Sequence, residues 1–173
     1  PGGHPLPRPC EQLTPADKTA ALADFTAELA ERVRRYRPAI RTARSLYARA
    51  VLDPAAEARF SQSLPAFLAA YDHPVLMAMP GLEQVEGDPL PWLLGLVDTV
   101  AAYPGGLEAT VFQLQARDWR EERWLDGATL QDQLRALQRA GALNLAYYPD
   151  DFVRGRPAQE PLFQGLSKRS FPY

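Results

Sequence analysis

The sequence predicts an α/β fold made of repeated βα units with parallel strands. Four short apolar runs begin near residues 40, 73, 109 and 143, and a stretch of helical periodicity precedes each one. The interval of roughly 33 to 36 residues is that of successive βα units in a parallel sheet. Many of the 17 prolines fall where these elements should begin.

The elements follow in order. Residues 1–13 (PGGHPLPRPCEQL) are rich in proline and glycine and read as an irregular lead-in. Thr14 is placed to cap a long helix, with Pro15 at its first position and Asp17 three residues after the cap. Leu22, Phe25, Leu29, Val33 and Tyr36 recur at helical spacing and form its apolar face, up to Arg37-Pro38. The opposite face, with Asp24, Glu28, Glu31, Arg32 and Arg35, reads as solvated surface. Ile40 to Ala48 is the first strand.

Asp53-Pro54 opens a second helical stretch with Phe60, Leu64, Phe67 and Leu68 on one side, which Pro65 should break into two pieces. The second strand is His73 to Pro80. Asp88-Pro89 caps a third helix with Leu90, Leu93, Leu94, Val97, Val100 and Ala101 as its buried stripe, ended by Pro104-Gly105-Gly106. Ala109 to Ala116 is the third strand. Thr129, with Asp132 at the capping-box position, starts a helix that buries Leu130, Leu134 and Leu137 and stops at Gly141. The fourth strand begins at Leu143 and runs into Tyr147-Tyr148-Pro149-Asp150-Asp151. Four βα units thus occupy residues 14–157, and residues 158–173 form a tail of irregular character.

Composition narrows the function classes. The 173 residues are 46% hydrophobic, enough for a globular core, and the net charge of −2 points to neither nucleic acid nor an acidic membrane surface. No apolar run approaches the roughly 20 residues that span a bilayer. Cys10 is the only cysteine, so no internal disulfide forms. With His4 and His73 as the only histidines, no zinc-ligand cluster can be assembled. No glycine-rich phosphate loop and no Gly-x-Ser-x-Gly elbow follows any strand. No metal and no cofactor is expected in this segment.

Each strand is followed by residues suited to a binding cleft, and in parallel α/β proteins that is the end where ligands sit. Tyr47 and Arg49 follow the first strand, and Pro80 and Glu83 the second. The third supplies Gln113, Gln115, Asp118 and Trp119, and the fourth Tyr147, Tyr148, Asp150 and Asp151. Aromatic rings, amides and carboxylates together suit a carbohydrate, whose C–H faces stack on Trp or Tyr while its hydroxyls meet polar groups. Each residue also has a plainer reading. Asp150-Asp151 after a proline is turn chemistry, a lone Glu83 in a loop is solvated, and Met77 and Met79 fill core. Gln113 and Gln115 need partners, because amides within an apolar strand are not left unpaired.

Four units are compatible with a small open sheet. They are also half of an eight-stranded barrel, which takes about 250 residues. A half barrel alone has two unpaired edges and a bare inner face.

Further motifs occur in one order: Lys18 to Arg34 (KTAALADFTAELAERVR), Arg41-Thr42-Ala43-Arg44, Ala69-Ala70-Tyr71-Asp72 leading into Met77-Ala78-Met79-Pro80, Val111 to Trp119 (VFQLQARDW), and Tyr147 to Phe152 (YYPDDF). Over Lys18 to about Pro157 the chain resembles the C-terminal domain of the PgaB-type poly-β-(1→6)-N-acetylglucosamine N-deacetylases. The resemblance implies the C-terminal half of a TIM-type (βα)8 barrel that holds, and in its intact form hydrolyses, partly de-N-acetylated poly-β-1,6-N-acetylglucosamine during export of a biofilm exopolysaccharide. It implies an N-terminal metal-dependent deacetylase domain as covalent partner, and a periplasmic lipoprotein. Residue matching carries over Trp119 and Tyr148 as stacking surfaces, and Asp118, Glu83 and Asp150 as polar contacts. The family's hydrolase aspartates lie in a paired-acid motif on an earlier strand, so the catalytic acids are expected outside this chain. Two other readings stand beside this one: a non-catalytic module that orients the polymer, and an enzyme using Glu83 with Asp150 or Asp151 as its acid pair.

Overall fold

The computed structural model describes residues 12–157. Four parallel strands, β1 (Ala43–Tyr47), β2 (His73–Ala78), β3 (Val111–Gln115) and β6 (Asn144–Tyr148), lie side by side in chain order. The larger helices between them are α1 (Pro15–Arg34), α4 (Leu64–Ala70), α5 (Leu90–Ala101) and α7 (Gly127–Arg139). Short helices α2 (Ala48–Leu52), α3 (Glu57–Phe60) and α6 (Gly106–Ala109) fill the connections. A small antiparallel ribbon, β4 (Arg117–Asp118) with β5 (Arg123–Trp124), follows β3 directly.

Alternation along each strand divides the sheet into two faces. The register aligns Leu46, Leu76, Phe112 and Leu145 in one row, and these pack against Phe67, Leu93, Leu96, Val97, Val100, Leu130, Leu134 and Leu137. The opposite face carries Ser45, Val75, Val111 and Asn144 in one row and Tyr47, Met77, Gln113 and Ala146 in the next. No described helix covers that second face. Strands ordered as in the chain, with helices on one side only, are the arrangement of consecutive barrel units; a doubly wound sheet reverses its order and carries helices on both sides. The geometry therefore resolves the choice between open sheet and barrel in favour of barrel units.

Local chemistry explains the element boundaries. At α1 the Thr14 hydroxyl accepts from Asp17 N while the Asp17 carboxylate accepts from Thr14 N, a reciprocal cap, and Pro15 sits where no amide hydrogen is needed. At α7 the cap is Asp126 rather than Thr129. The Asp126 carboxylate accepts from Ala128 N and Thr129 N, so the helix starts one turn earlier than the Thr129–Asp132 pairing implies. Pro65 does not break a helix either; it lies in the first turn of α4, and the interruption falls at Ser61, whose φ of 51° ends α3. In α5 the buried residues are Leu93, Leu96, Val97 and Val100; of the expected stripe, Leu90 and Leu94 are only half-buried and Ala101 is exposed, while Leu96 joins it. The run from Ala109 begins as the last residue of α6, and β3 starts two residues later.

The largest departure is in α1. Its apolar stripe faces outward, with Phe25 60% exposed and Leu22, Leu29, Val33 and Tyr36 also exposed. The helix instead buries Thr19 and Ala30, and the Thr19 hydroxyl donates to Glu57 of α3 at 2.7 Å. The reason is positional: β1 is the edge strand, so among the described residues no further strand lies under the stripe. His4, Cys10, most of the lead-in and the tail from residue 158 lie outside the described residues.

Candidate functional site: an aromatic-walled cavity on the open face of the sheet

The strand ends gather on one rim, and the bare face of the sheet forms the floor of a cavity of about 380 Å³. Ser45 and Tyr47 come from β1, Met77 from β2, Gln113 from β3 and Tyr148 from β6, while Met79, Leu82 and Trp119 come from the loops that follow. These are alternate residues of each strand, so pleating alone aims them at one side. Trp119 and Tyr148 form one wall, with ring centroids 6.3 Å apart and planes inclined by 37°. Trp119 is 39% and Tyr148 53% exposed, leaving both rings free to meet a ligand. At the other end Tyr47 packs on Phe60 at 4.9 Å.

Trp119 is placed by the β4–β5 ribbon, of which it begins the turn. Asp118 Oδ1 accepts from Arg120 N at 2.9 Å and Glu121 N at 3.3 Å, tightening that turn. The ribbon is tied to the sheet where Leu125 N donates to Ala116 O and Ala116 N donates to Tyr148 O, at 2.9 and 2.8 Å. Trp119 and Tyr148 are therefore coupled through the backbone of Ala116.

Gln115 performs the corresponding task for the loop after β2. Its Oε1 accepts from Gly81 N at 2.9 Å and its Nε2 donates to Arg117 O at 2.8 Å. Leu82, next to Gly81, is thereby held at the cavity mouth. The partners expected for Gln115 are thus backbone groups. Gln113, two residues earlier on the same face, lines the cavity, and its side-chain amide has no hydrogen-bond partner among the described residues.

The carboxylates are dispersed. Glu83 lines a neighbouring cavity of about 500 Å³ with Arg49, Asp53 and Arg59, and its Oε1 accepts from Arg49 N at 3.1 Å. Asp118 lines a third cavity of about 250 Å³ beside Gly81, Gln84, Trp119 and Arg120. Asp150 is exposed just beyond β6, and its negative charge, after burial, is the second cause that pushes the Tyr147 hydroxyl above the usual tyrosine range. Asp151 is occupied in its turn, accepting from Arg154 N at 3.1 Å and from the Arg154 guanidinium at 3.2 Å. Glu83 follows β2 while Asp150 and Asp151 follow β6, with β3 between the two strands. None of the eight residues lining the 380 Å³ cavity is charged.

Of the sequence-selected residues, the structure brings Tyr47, Gln113, Trp119 and Tyr148 together in this cavity, while Glu83 and Asp118 line the neighbouring ones and Asp150 stands exposed beyond β6. Tyr147 faces the helices instead, packing against the core. Met79 is buried, as core filling requires, yet it and Met77 both reach the cavity. Ser45, Met77 and Leu82 were not singled out as site residues. Strand parity was the available signal for Ser45 and Met77, since they share the face of Tyr47 and Gln113.

The fold and the site define a class: consecutive parallel βα units of the barrel type, with an aromatic-walled cavity on the open face of the sheet. Residues 9–148 match the model of hypothetical glycosyl hydrolase family 13, and the chain belongs to that family. It is 37% identical over 160 residues to the poly-beta-1,6-N-acetyl-D-glucosamine N-deacetylases of Escherichia coli K12 and O157:H7. That match covers 90% of this chain and 24% of those relatives, so the chain spans about a quarter of their length. The solved PgaB (BpsB) glycoside hydrolase domain from Bordetella bronchiseptica is 43% identical, with a TM-score of 0.83 over 89% of this chain and 44% of that one. The parallel βα architecture is therefore that of part of a glycoside hydrolase barrel, and the chain is related to PgaB.

Proposed function

We propose that this chain binds poly-β-1,6-N-acetylglucosamine along the open face of its sheet, as part of a glycoside-hydrolase-like barrel. The observation that carries the reading is the Trp119–Tyr148 wall beside an uncharged floor, at the strand ends where a barrel enzyme holds its ligand. The E. coli relatives are named for an N-deacetylase acting on this polymer, which supports the choice of sugar. Trp119 and Tyr148 stack on sugar rings; Asp118, Glu83 and Asp150 meet hydroxyls of residues that extend beyond the cavity. In this reading the partner is the polymer together with a deacetylase domain, and the setting is periplasmic export of a biofilm polysaccharide, with a lipid anchor on the intact protein. Among the described residues no helix is long and apolar enough to cross a membrane.

Calorimetric titration with a β-1,6-linked N-acetylglucosamine oligosaccharide tests the site. Trp119→Ala and Tyr148→Ala should each weaken binding by about 2 kcal/mol, roughly thirtyfold, the scale for truncating a central aromatic anchor. Unchanged affinity in both variants would sink the assignment.

A second reading, hydrolysis, is favoured by membership of a glycosyl hydrolase family. Glycosidases need two carboxyl groups about 5 to 9.5 Å apart across the bond. With no charged group lining the cavity, the acids for such a reaction come from other strands of the intact barrel. Mass spectrometry of the oligosaccharide after prolonged incubation separates binding alone from cleavage.

A further inference from the structure

We propose that Leu82 is a fixed partition on the strand-end rim, and that Gln115 and Glu83 are the positioning residues that hold it there. The inference rests on the carbohydrate reading above and concerns how the rim is built before any ligand arrives.

Among the described residues Leu82 alone lines all three of the cavities of about 380, 500 and 250 Å³. It stands 42% exposed where an uncharged compartment meets two that carry charged side chains. An apolar side chain in that place divides the rim only if its backbone stays put. On a loop that swings, it would turn away and the compartments would merge.

The loop after β2 is fixed from within and from both sides. Met79 O accepts from Leu82 N at 3.0 Å and from Glu83 N at 3.1 Å, and Pro80 O accepts from Val85 N at 3.0 Å. On one side of Leu82, Gly81 N donates to Gln115 Oε1 at 2.9 Å. On the other side, Glu83 Oε1 accepts from Arg49 N at 3.1 Å. Arg49 lies in the first turn of α2, where an amide has no acceptor inside its own helix, so Glu83 supplies one. Gln84 then turns the chain at a φ of 59°, which a non-glycine residue keeps only where its surroundings hold it.

The two anchors join different neighbours. Gln115 is 4% exposed, and its Nε2 donates to Arg117 O, two residues before Trp119, so it ties the loop of Leu82 to the ribbon of Trp119. Glu83 is half-buried and ties the same loop to the helix that follows β1. The ends of β1, β2 and β3 are thereby laced through one loop, with Leu82 between the knots. A partition set in advance spares a ligand the cost of ordering it, and loosening either anchor returns that cost. Glu83 thus has a task that needs no contact with sugar.

The test pairs amide hydrogen exchange, read by NMR on the unliganded protein, with calorimetric titration of a β-1,6-linked N-acetylglucosamine oligosaccharide. The Gly81 and Arg49 amides should be protected in the wild-type protein. Glu83→Ala should speed exchange at Arg49 about tenfold, the scale of one net hydrogen bond, and Glu83→Gln, which keeps an acceptor oxygen, should restore the protection. A residue that only touched sugar would leave exchange without ligand unmoved. Gln115→Leu should speed exchange at Gly81 and weaken the oligosaccharide about threefold to tenfold, the scale of re-ordering one side chain. Leu82→Ala keeps both anchors at an exposed position that folding tolerates. It should weaken binding about tenfold, the scale of half-burying an apolar side chain, with Gly81 and Arg49 still protected. Unprotected amides in the wild-type protein overturn the inference. So does unchanged affinity in Leu82→Ala while Trp119→Ala removes binding, and in that case the carbohydrate reading stands. If both amides are protected and no oligosaccharide binds the wild-type protein, the carbohydrate reading falls and the anchored loop stands.

Discussion

Gln115 and Gly81 fit together with no space for another atom. The Gln115 Oε1 accepts from Gly81 N at 2.9 Å, and a methyl on Gly81 would lie 2.8 Å from Nε2 and 2.9 Å from Oε1. A flexible side chain elsewhere would swing aside, but this one is buried and held at its other end by Arg117 O. Gly81→Ala must therefore break at least one buried hydrogen bond or move the loop that carries Leu82. The expected loss of stability is about 1 to 3 kcal/mol, the cost of leaving a buried polar group unsatisfied. Urea denaturation measures it, and an unchanged midpoint would contradict the packing described.

Two phenylalanines at helical positions should differ sharply. Phe67 is 2% exposed, packed under the sheet and edge-on to Tyr71 with centroids 5.1 Å apart. Phe67→Ala is expected to cost about 3 to 5 kcal/mol, transfer and cavity terms together. Phe25, in the outward stripe of α1, should tolerate the same change for about 0.5 kcal/mol or less. Urea denaturation of the two variants of the 173-residue chain gives the comparison. A comparable loss at Phe25 would show that the stripe is covered in solution.

That contrast marks what was legible in the sequence. Strand identity and order could be read because each strand is a short apolar run with proline or glycine at its borders. The α1 stripe was equally clear as a pattern, but periodicity says which residues share a face and nothing about what lies opposite. A helix beside an edge strand keeps the pattern and lacks the partner. The ribbon that carries Trp119 was invisible for another reason: its strands are two residues each, too short for any alternation. The Thr129–Asp132 spacing points to a cap at Thr129, and only geometry shows the Asp126 carboxylate accepting from two helix amides. In the site, residue type at strand ends marks Trp119 and Tyr148 among other candidates, and the family resemblance singles them out; the structure sets their rings 6.3 Å apart. The roles of the two glutamines needed the third dimension, since nothing local distinguishes Gln113 from Gln115.

Acid should loosen the entry to the sheet through Asp72. Thr42 N and the Thr42 hydroxyl both donate to Asp72 Oδ2, at 2.6 and 2.9 Å, and Asp72 N donates back to Thr42 Oγ1 at 3.1 Å. The Thr42 amide first, then its hydroxyl, with help from the Arg41 and Arg34 charges, hold the carboxyl below its ordinary value of 3.8. A pKa lowered by folding gives stability that is complete above the unfolded value and is lost as pH falls through the folded one. Asp72→Asn should therefore lower the urea midpoint at about pH 6, and the gap from wild type should narrow as the pH drops below 3.8. A gap that stays constant down to strongly acid pH would remove Asp72 as the titrating group.

At the opposite end of the pH scale the sensitive group is Tyr147. Burial first, and the Asp150 charge second, raise its hydroxyl above 10.0. The sign is the reverse of the Asp72 case: the contribution is complete below 10.0 and is lost as pH rises from there through the folded value. Asp150→Asn should lower the midpoint of tyrosinate absorbance assigned to Tyr147 while leaving it above 10.0, because burial remains. Tyr147→Phe should remove that transition and flatten the alkaline loss of stability. The measurement also bears on the sugar site. Tyr147 packs toward the helices and Tyr148 toward the cavity, and the Asp150 charge acts on Tyr147. If Asp150→Asn leaves the Tyr147 transition unmoved but weakens oligosaccharide binding, its role as a sugar contact is the stronger one.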